Sequence, residues 1–256
     1  MSDAKETLSG AAKQLLEIEG LLGARFMPAD RNPLGEIQTA KAPAAGAGAD
    51  GGMSREEKAA ALADMDNNEV KSCTRCGLCG SRTNTVFGEV NPDADLVFVG
   101  EGPGREEDRL GRPFVGRAGE LLDRMIAAMD LTRNDVYICN VIKCRAPENR
   151  NPMPDEVQAC MPYLIRQLQI IAPKVIVTMG NPATQSLLET RTGITRMRGA
   201  WQSFGGPVPG LAGTAVMPTF HPAYLLRNYS VDARGKVWSD LQQVMSALGL
   251  KAPGKR

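Results

Sequence analysis

The sequence is poor in histidine, aromatic residues and cysteine. Its 256 residues include one histidine, two tryptophans, four tyrosines, six phenylalanines and six cysteines. No stretch reaches the roughly 18 uninterrupted apolar residues of a membrane-spanning helix, and the N-terminus lacks the basic, apolar and small-residue regions of a signal peptide. Six cysteines are also too few for a disulfide scaffold of this length. We therefore expect a cytoplasmic protein without membrane association, in which clustered cysteines indicate a metal site or catalytic groups.

Charge is unevenly distributed along the chain. Residues 1–70 carry 7 basic and 12 acidic side chains, whereas residues 71–256 carry 23 and 17. Arginine supplies 17 of those 23 basic groups, and its planar guanidinium suits bidentate contacts with phosphate. The excess is compatible with nucleic-acid binding, but by itself it more often reflects an ordinary solvated surface.

Residues 1–65 differ in composition from the rest and are predicted to form a flexible N-terminal extension. Leucines and an isoleucine recur at i+3 and i+4 spacing between residues 4 and 22, which predicts one short amphipathic helix. Residues 41–52 are almost entirely alanine, glycine and proline, a composition typical of a linker. We expect a disordered tail, with a helix that docks a partner as the alternative.

Residues 66–250 are predicted to form one α/β domain. Short apolar runs alternate there with longer amphipathic ones, which is typical of a parallel sheet covered by helices. The predicted fold is a three-layer α/β/α arrangement around a central, mainly parallel four-stranded sheet. The predicted strands are 95–100, 136–141, 174–179 and 214–220, and the predicted helices are 120–129, 154–172 and 234–248.

Polar and aromatic residues follow the predicted strands. Glu101 comes directly after the first strand, Asn140 lies at the end of the second, and His221, the single histidine, follows the fourth. Ligands of open α/β sheets bind beyond the carboxyl ends of the strands, so these side chains are expected to meet in one cleft. Each has a structural alternative, since a lone histidine is usually structural, an asparagine often caps a turn, and a phenylalanine such as Phe114 is more often core.

The cysteines give a more specific signal. Cys73 and Cys76 form a CxxC pair, and Cys144 and Cys160 follow at longer spacing. Four thiolates suit zinc or an iron–sulfur cluster, whereas an isolated CxxC pair also fits redox chemistry. Cys79 is an additional thiol beside the pair, and Cys139 falls inside a predicted strand, where it is most simply core.

Taken together, these segments resemble one known family. The motifs are CTRCGLCGSR at 73–82, FGEVNP at 87–92, VGEGPGREED at 99–108, GRPFVGRAGELLD at 111–123, YICNVIKCRAPENRNPMPDEVQAC at 137–160 and HPAYLLR at 221–227. In order and spacing they are similar to the iron–sulfur uracil-DNA glycosylases, family 4 of that superfamily. The resemblance covers about residues 70–248 and excludes residues 1–65.

The resemblance implies a DNA-repair glycosylase that turns uracil out of DNA and hydrolyses its N-glycosidic bond. It implies that Glu101 orients the attacking water, that His221 stabilises the departing base, that Phe114 stacks on uracil and that Asn140 reads its polar edge. Further substrate-binding positions that it implies are Gly102, Glu107, Asn149, Leu225 and Arg227. It also implies a 4Fe-4S cluster, rather than zinc, held by Cys73, Cys76, Cys144 and Cys160.

The expected partner is uracil-containing DNA, single- or double-stranded, bound by a monomeric protein at the nucleoid. The N-terminal extension would then dock a repair or replication partner, if it docks one at all. Two other classes stay open at this point: a non-catalytic iron–sulfur module that binds DNA, and an electron-transfer protein. The presence of Glu101 argues against a pure binder, which needs arginines and stacking rings but no water-orienting carboxylate.

Overall fold

The computed structural model describes residues 52–228 and 230–251. The helix predicted between residues 4 and 22 and nearly all of the predicted linker lie outside these residues. The helices are α1 (Arg55–Met65), α2 (Arg105–Leu110), α3 (Arg117–Ala128), α4 (Pro154–Ile171), α5 (Asn181–Leu187), α6 (Ile194–Met197), α7 (Pro222–Arg227) and α8 (Val231–Ala247). The strands are β1 (Glu89–Val90), β2 (Leu96–Gly100), β3 (Tyr137–Asn140), β4 (Val175–Met179), β5 (Gln202–Ser203) and β6 (Ala215–Thr219). None of the helices in the described ranges is long and apolar enough to cross a membrane.

The strands form one sheet in the order β1-β3-β2-β4-β6-β5. Its four central strands are parallel and are the four that the sequence predicts, each within two residues of the predicted ends. The sheet nevertheless has six strands rather than four, because β1 and β5, two residues each, pair antiparallel at its edges. The chain runs from β2 to β3 on one side and then crosses to β4 on the other. β2 is therefore the point where strand order reverses, the usual position of a ligand cleft in such sheets.

Helices cover both faces of the sheet, which confirms the three-layer α/β arrangement. One face buries alternate strand residues such as Val97 and Val99 in a cluster with Leu164 and Leu168 of α4. Residues of the opposite strand alternation, such as Phe98, are equally buried but lie outside that cluster, as do the buried residues of α3 and α8. Strands buried on both faces explain why all five residues of β2 are apolar or glycine.

Helix α1 belongs to the folded body. It begins at the N-cap residue Ser54, which accepts a hydrogen bond from the Glu57 backbone N–H while the Glu57 carboxylate accepts one from the Ser54 N–H. Leu62 and Met65 are buried in the cluster beneath α4. The packed structure thus begins within the segment 1–65 that the sequence assigns to the extension. The first turns of α1 are polar and alanine-rich, so the sequence offers no long apolar face by which to recognise this packing.

Candidate active site

A cleft of about 570 Å³ lies at the carboxyl ends of the parallel strands. It collects polar and aromatic side chains from the segments that follow β2, β3 and β6. Of the nine residues predicted to catalyse or to bind substrate, eight line it: Glu101, Gly102, Glu107, Phe114, Asn140, Asn149, His221 and Arg227. The ninth, Leu225, is 3% exposed and points into the protein. The cleft thus lies at the strand ends, where these side chains are expected to meet, and it collects eight of the nine predicted positions.

Glu101 and Asn140 are neighbours because the pairing of β2 with β3 continues past the ends of both strands. Gly100 and Asn140 are register partners, and the Ile142 N–H donates to the Glu101 carbonyl at 3.1 Å. The Glu101 side chain is partly buried in the cleft wall, and this burial raises the pKa of its carboxyl above the ordinary value. A poorly solvated carboxylate is a stronger base than an exposed one, which suits it to orient and polarise a water molecule.

The Asn140 side chain is prepared for a ligand. It is 1% exposed, and its Oδ1 atom has no hydrogen-bond partner among the described residues. A buried acceptor without a partner costs about 1–3 kcal/mol, so an N–H group from a bound molecule would recover that cost. The Asn140 backbone is fixed from behind, since the buried Lys143 ammonium donates to its carbonyl at 2.8 Å and to Gln167 Oε1.

The Phe114 ring forms one wall of the cleft beside Asn140. A Cβ atom on Gly100 would lie 2.6 Å from Phe114 Cζ and closer still to Asn140 Oδ1, so only glycine at position 100 lets the ring and the amide approach each other. The ring centroid lies 5.6 Å from that of His221. Phe114, Asn140 and His221 thus line the same part of the cleft.

The backbone that carries Phe114 is held by Arg133. Phe114 has a φ of 52°, a conformation that L residues rarely adopt. The Arg133 guanidinium donates to the Pro113 carbonyl and, at 3.2 Å, to the Phe114 carbonyl. Its position is fixed in turn by Glu89 at 3.0 Å and Asp123 at 2.6 Å. These bonds stabilise an unfavourable backbone conformation that places the ring in the cleft.

Glu107 fixes the same loop from its other end. Its Oε1 atom accepts hydrogen bonds from the Val115 and Gly116 backbone N–H groups at 3.0 and 2.9 Å. The sequence places Glu107 among the substrate-binding positions, and its side chain does line the cleft. Its contacts nevertheless show a loop-positioning role, which the sequence does not indicate because the bonded groups belong to the backbone.

His221 is presented by the end of β6 and caps α7. Its Nδ1 atom accepts a hydrogen bond from the Ala223 backbone N–H at 3.1 Å, so the neutral ring carries its proton on Nε2. Burial and, to a smaller extent, the nearby positive charge of Arg227 lower the pKa of the imidazole to about 4. At neutral pH the ring is therefore an uncharged donor with a defined tautomer.

The remaining predicted positions lie at the rim. Asn149 ends a short 3-10 turn, and its Oδ1 atom accepts a hydrogen bond from Arg145 Nε at 2.8 Å. Arg227 ends α7 at the mouth of the cleft. Tyr224, which the sequence-based reasoning did not select, also lines the cleft and is 37% exposed.

A second cavity, behind the first, is lined by cysteines. Cys73, Cys76, Cys79, Cys144 and Cys160 all contribute to its wall, whereas Cys139 is core, as predicted. Within the described part of the chain, no three His, Cys, Asp or Glu side chains are arranged to hold a single metal ion.

Two N–H groups already point at the sulfur atoms of this cavity. Arg82 Nη1 donates to Cys144 Sγ at 3.3 Å, and the Lys143 backbone N–H donates to Cys160 Sγ at the same distance. Burial raises the pKa of the Cys144 thiol and raises that of Cys160 to about 11. Such thiols become thiolates when a cationic group binds them, and N–H donors aimed at sulfur are typical of iron–sulfur sites.

Comparisons with known proteins agree with this geometry. The sequence model of the uracil DNA glycosylase superfamily matches residues 87–242. A type-4 uracil-DNA glycosylase of Thermotoga maritima is 48% identical over 186 residues, which cover 72% of this chain and 94% of the relative. One of Archaeoglobus fulgidus is 44% identical over 193 residues, covering 72% and 92%. A type-5 uracil-DNA glycosylase of Pyrobaculum aerophilum is 27% identical over 191 residues, covering 62% and 81%.

Proposed function

The chain belongs to the uracil DNA glycosylase superfamily, among its type-4 members, and from this premise we propose that the cleft binds uracil flipped out of DNA and hydrolyses its N-glycosidic bond. The product is an abasic site, the first intermediate of base excision repair. The observation that carries the assignment of residues is the convergence of Glu101, Phe114, Asn140 and His221 in one cleft, with Asn140 Oδ1 lacking a partner.

Recognition follows from the shapes and hydrogen-bonding groups of these side chains. A uracil inside a duplex is inaccessible, so it must leave the stack at a cost of a few kcal/mol, offset by stacking and edge hydrogen bonds in the pocket. Phe114 offers a ring for stacking. Asn140 accepts from the ring N–H of uracil through Oδ1 and donates to a neighbouring carbonyl through its NH₂ group.

Catalysis follows from where charge develops. Breaking the glycosidic bond leaves positive charge on the sugar and negative charge on the base. Glu101 stabilises the first and orients the water, while the His221 Nε2–H donates to the uracil carbonyl oxygen where the second accumulates. One such preorganised donor is worth roughly 3 kcal/mol, or on the order of a hundredfold in rate.

The rim residues serve the DNA around the base. Arg227 lies at the mouth of the cleft and provides a charge for phosphate. Gly102 has Ile142 Cγ1 at 2.6 Å from where its Cβ would be, so the cleft wall there is backbone alone. Asn149 acts chiefly by ordering its own loop through a hydrogen bond with Arg145, and Glu107 acts chiefly by ordering the Phe114 loop, whose backbone it binds. This proposal applies to a monomer in the cytoplasm, at the nucleoid, in which the part of the N-terminal extension that precedes α1 docks a repair or replication partner, if it docks one at all.

We further propose that Cys73, Cys76, Cys144 and Cys160 hold a 4Fe-4S cluster. Support comes from the five cysteines that line one cavity and from the two N–H groups that donate to their sulfur atoms. When bound, the cluster would connect residues 73–76 to the segment after β3 and to α4, and so fix the loops behind the cleft. Visible absorbance together with iron and zinc analysis tests this, and stoichiometric zinc without iron would contradict it.

The decisive test of function uses a uracil-containing oligonucleotide and alkali cleavage at abasic sites. We expect Glu101→Gln and His221→Asn each to lower single-turnover excision about a hundredfold or more, with little change in the affinity for DNA carrying an uncleavable 2′-fluorodeoxyuridine. Glu106→Gln is the matched control, because Glu106 is a nearby acid that pairs with Arg109 and does not line the cleft.

Two outcomes would contradict the proposal. If the Glu101 and His221 variants lost DNA binding in parallel with cleavage, the result would contradict catalytic roles for these two residues. No abasic sites with enzyme in excess would remove the glycosylase activity itself and favour a DNA-binding or electron-transfer module.

A further inference from the structure

Tyr224 is an exposed aromatic residue at the mouth of the cleft. It is one of five large apolar side chains that stand out as exposed among the described residues, with 37% of its surface accessible. It is also the one of these five that lines the cleft. The Tyr224 ring is therefore accessible to a molecule that enters or covers the cleft.

The position of Tyr224 is fixed relative to the catalytic histidine. His221 is the N-cap of α7, and Tyr224 lies three residues later, where a helix brings side chains onto the same side. The Tyr224 backbone N–H donates to the His221 carbonyl at 2.9 Å. When a base enters the cleft and contacts the His221 imidazole, Tyr224 therefore lies at the entrance, beside the DNA that flanks that base.

One side of the Tyr224 ring already contacts another aromatic ring of the protein. It packs against the buried Phe220, with 4.7 Å between centroids and 31° between ring planes. Phe220 directly precedes His221 and is supported by the Arg198 guanidinium, 5.8 Å from its centroid. Little conformational entropy is lost when a second ring stacks on such a pre-positioned side chain.

Leu225, by contrast, is buried in the structure without DNA. The sequence places it in the segment that contacts the duplex, but it is 3% exposed, in a helix that packs on α3. The neighbouring Tyr224 is thus the large apolar side chain that α7 presents at the cleft, beside the small Ala223.

We propose that Tyr224 stacks on a base adjacent to the flipped uracil and so stabilises the DNA that the flipping has unstacked. This inference rests on the proposed function, since it requires uracil in the cleft. Flipping removes a stacking neighbour from each adjacent base, and an aromatic ring replaces part of that contact. Because every base has a π face, the contact is tolerant of sequence and is worth about 1–3 kcal/mol, or roughly 5- to 150-fold in affinity.

A protein–DNA double-mutant cycle tests the proposal. One series of duplexes carries ordinary bases beside the uracil, and a second carries abasic spacers at one or both neighbouring positions. We expect Tyr224→Ala to weaken binding and kcat/KM by about 5- to 150-fold on the ordinary duplex but by much less on the duplex whose stacking base has been removed. Tyr224→Phe keeps the ring and should lose less than Tyr224→Ala. Val231→Ala is the matched control, because Val231 is 70% exposed but does not line the cleft.

The outcomes separate this inference from the glycosylase activity. Equal losses for Tyr224→Ala on both kinds of duplex, or no loss on either, would overturn the stacking role while wild-type excision stands. Equal losses for Tyr224→Phe and Tyr224→Ala would assign the effect to the hydroxyl group and also overturn it. Circular dichroism of each variant shows whether it is folded, and Tyr224→Leu, which keeps apolar bulk without a π face, replaces Tyr224→Ala if that variant is not. Absence of excision by the wild type on every duplex would instead refute the proposed function.

Discussion

The protonation state of His221 can be tested directly, because it is the single histidine in the sequence. Burial and Arg227 lower the pKa of its imidazole from 6.5 to about 4. At pH 5, about one-tenth of the rings would then carry a proton, whereas an ordinary histidine would be almost fully charged. The difference corresponds to about 3 kcal/mol in favour of the neutral ring in the folded protein, since one pKa unit is about 1.4 kcal/mol.

The sign of the resulting pH dependence follows from linkage. The folded protein binds this proton less tightly than the unfolded chain, so the contribution of His221 to stability is fully present above pH 6.5. It is lost as the pH falls from about 6.5 to about 4. Excision should likewise show no loss that follows an ordinary histidine titration between pH 8 and 5.5, because the ring remains a neutral donor throughout.

Nuclear magnetic resonance of protein labelled with ¹³C-histidine measures the titration, and a single imidazole needs no assignment. The protein must carry no histidine tag. We expect the ring signal to move by only about a tenth of its full span between pH 8 and pH 5. Arg227→Gln should raise the midpoint, because it removes the second cause of the shift, yet leave it below 6.5 because burial is the larger cause.

A midpoint near 6.5 in the folded wild type would refute the reasoning. It would mean that the ring is solvated and titrates as an ordinary histidine, so that a cationic His221 is available to stabilise the departing base below about pH 6.5. A normal midpoint in Arg227→Gln alone would show instead that charge, rather than burial, dominates.

Two further substitutions test how the cleft is assembled. Gly100→Ala should lower the free energy of unfolding by about 1–3 kcal/mol and abolish most excision, because the added methyl group would overlap Asn140 and Phe114. Chemical denaturation measures the stability, and single-turnover rates measure the excision. An unchanged excision rate would contradict the close packing of these residues. Arg133→Gln should weaken stacking on Phe114 and lower excision about tenfold, since a hydrogen bond to a charged donor is worth about 1.5–3 kcal/mol. Arg112→Gln is its control, because Arg112 shares the Glu89 partner but bonds neither loop carbonyl; equal losses in the two would show that only the ion pair matters.

The sequence predicts the central sheet well for a physical reason. Parallel strands buried on both faces appear as continuous apolar runs, so β2, β3, β4 and β6 are found within two residues of their observed ends. The edge strands β1 and β5 have two residues each and leave no pattern at that length. The sequence predicts no packing for helix α1, because its large apolar residues are few and follow a polar, alanine-rich first part.

The sequence predicts those residues of the cleft whose positions are determined by the ends of the strands. Glu101, Asn140 and His221 lie at or just after the carboxyl ends of β2, β3 and β6. The strand order therefore brings these three residues together, whichever way the helices pack. Arg133 acts on Phe114 across 19 positions of sequence, and no local pattern marks such a contact. The choice between Tyr224 and Leu225 depends on how α7 packs on α3, which the six-residue helix itself does not indicate.

The segment from Asn140 to Cys144 joins the two cavities. Asn140 projects into the cleft, and Cys144 lines the cysteine cavity. Between them, the Lys143 ammonium group donates a hydrogen bond to the Asn140 carbonyl, and the Lys143 backbone N–H donates one to Cys160 Sγ. Its length is therefore fixed from both ends. An insertion or deletion of one residue would move either the amide out of the cleft or the thiol out of the cavity, so the length of this segment should be as constrained as its functional side chains.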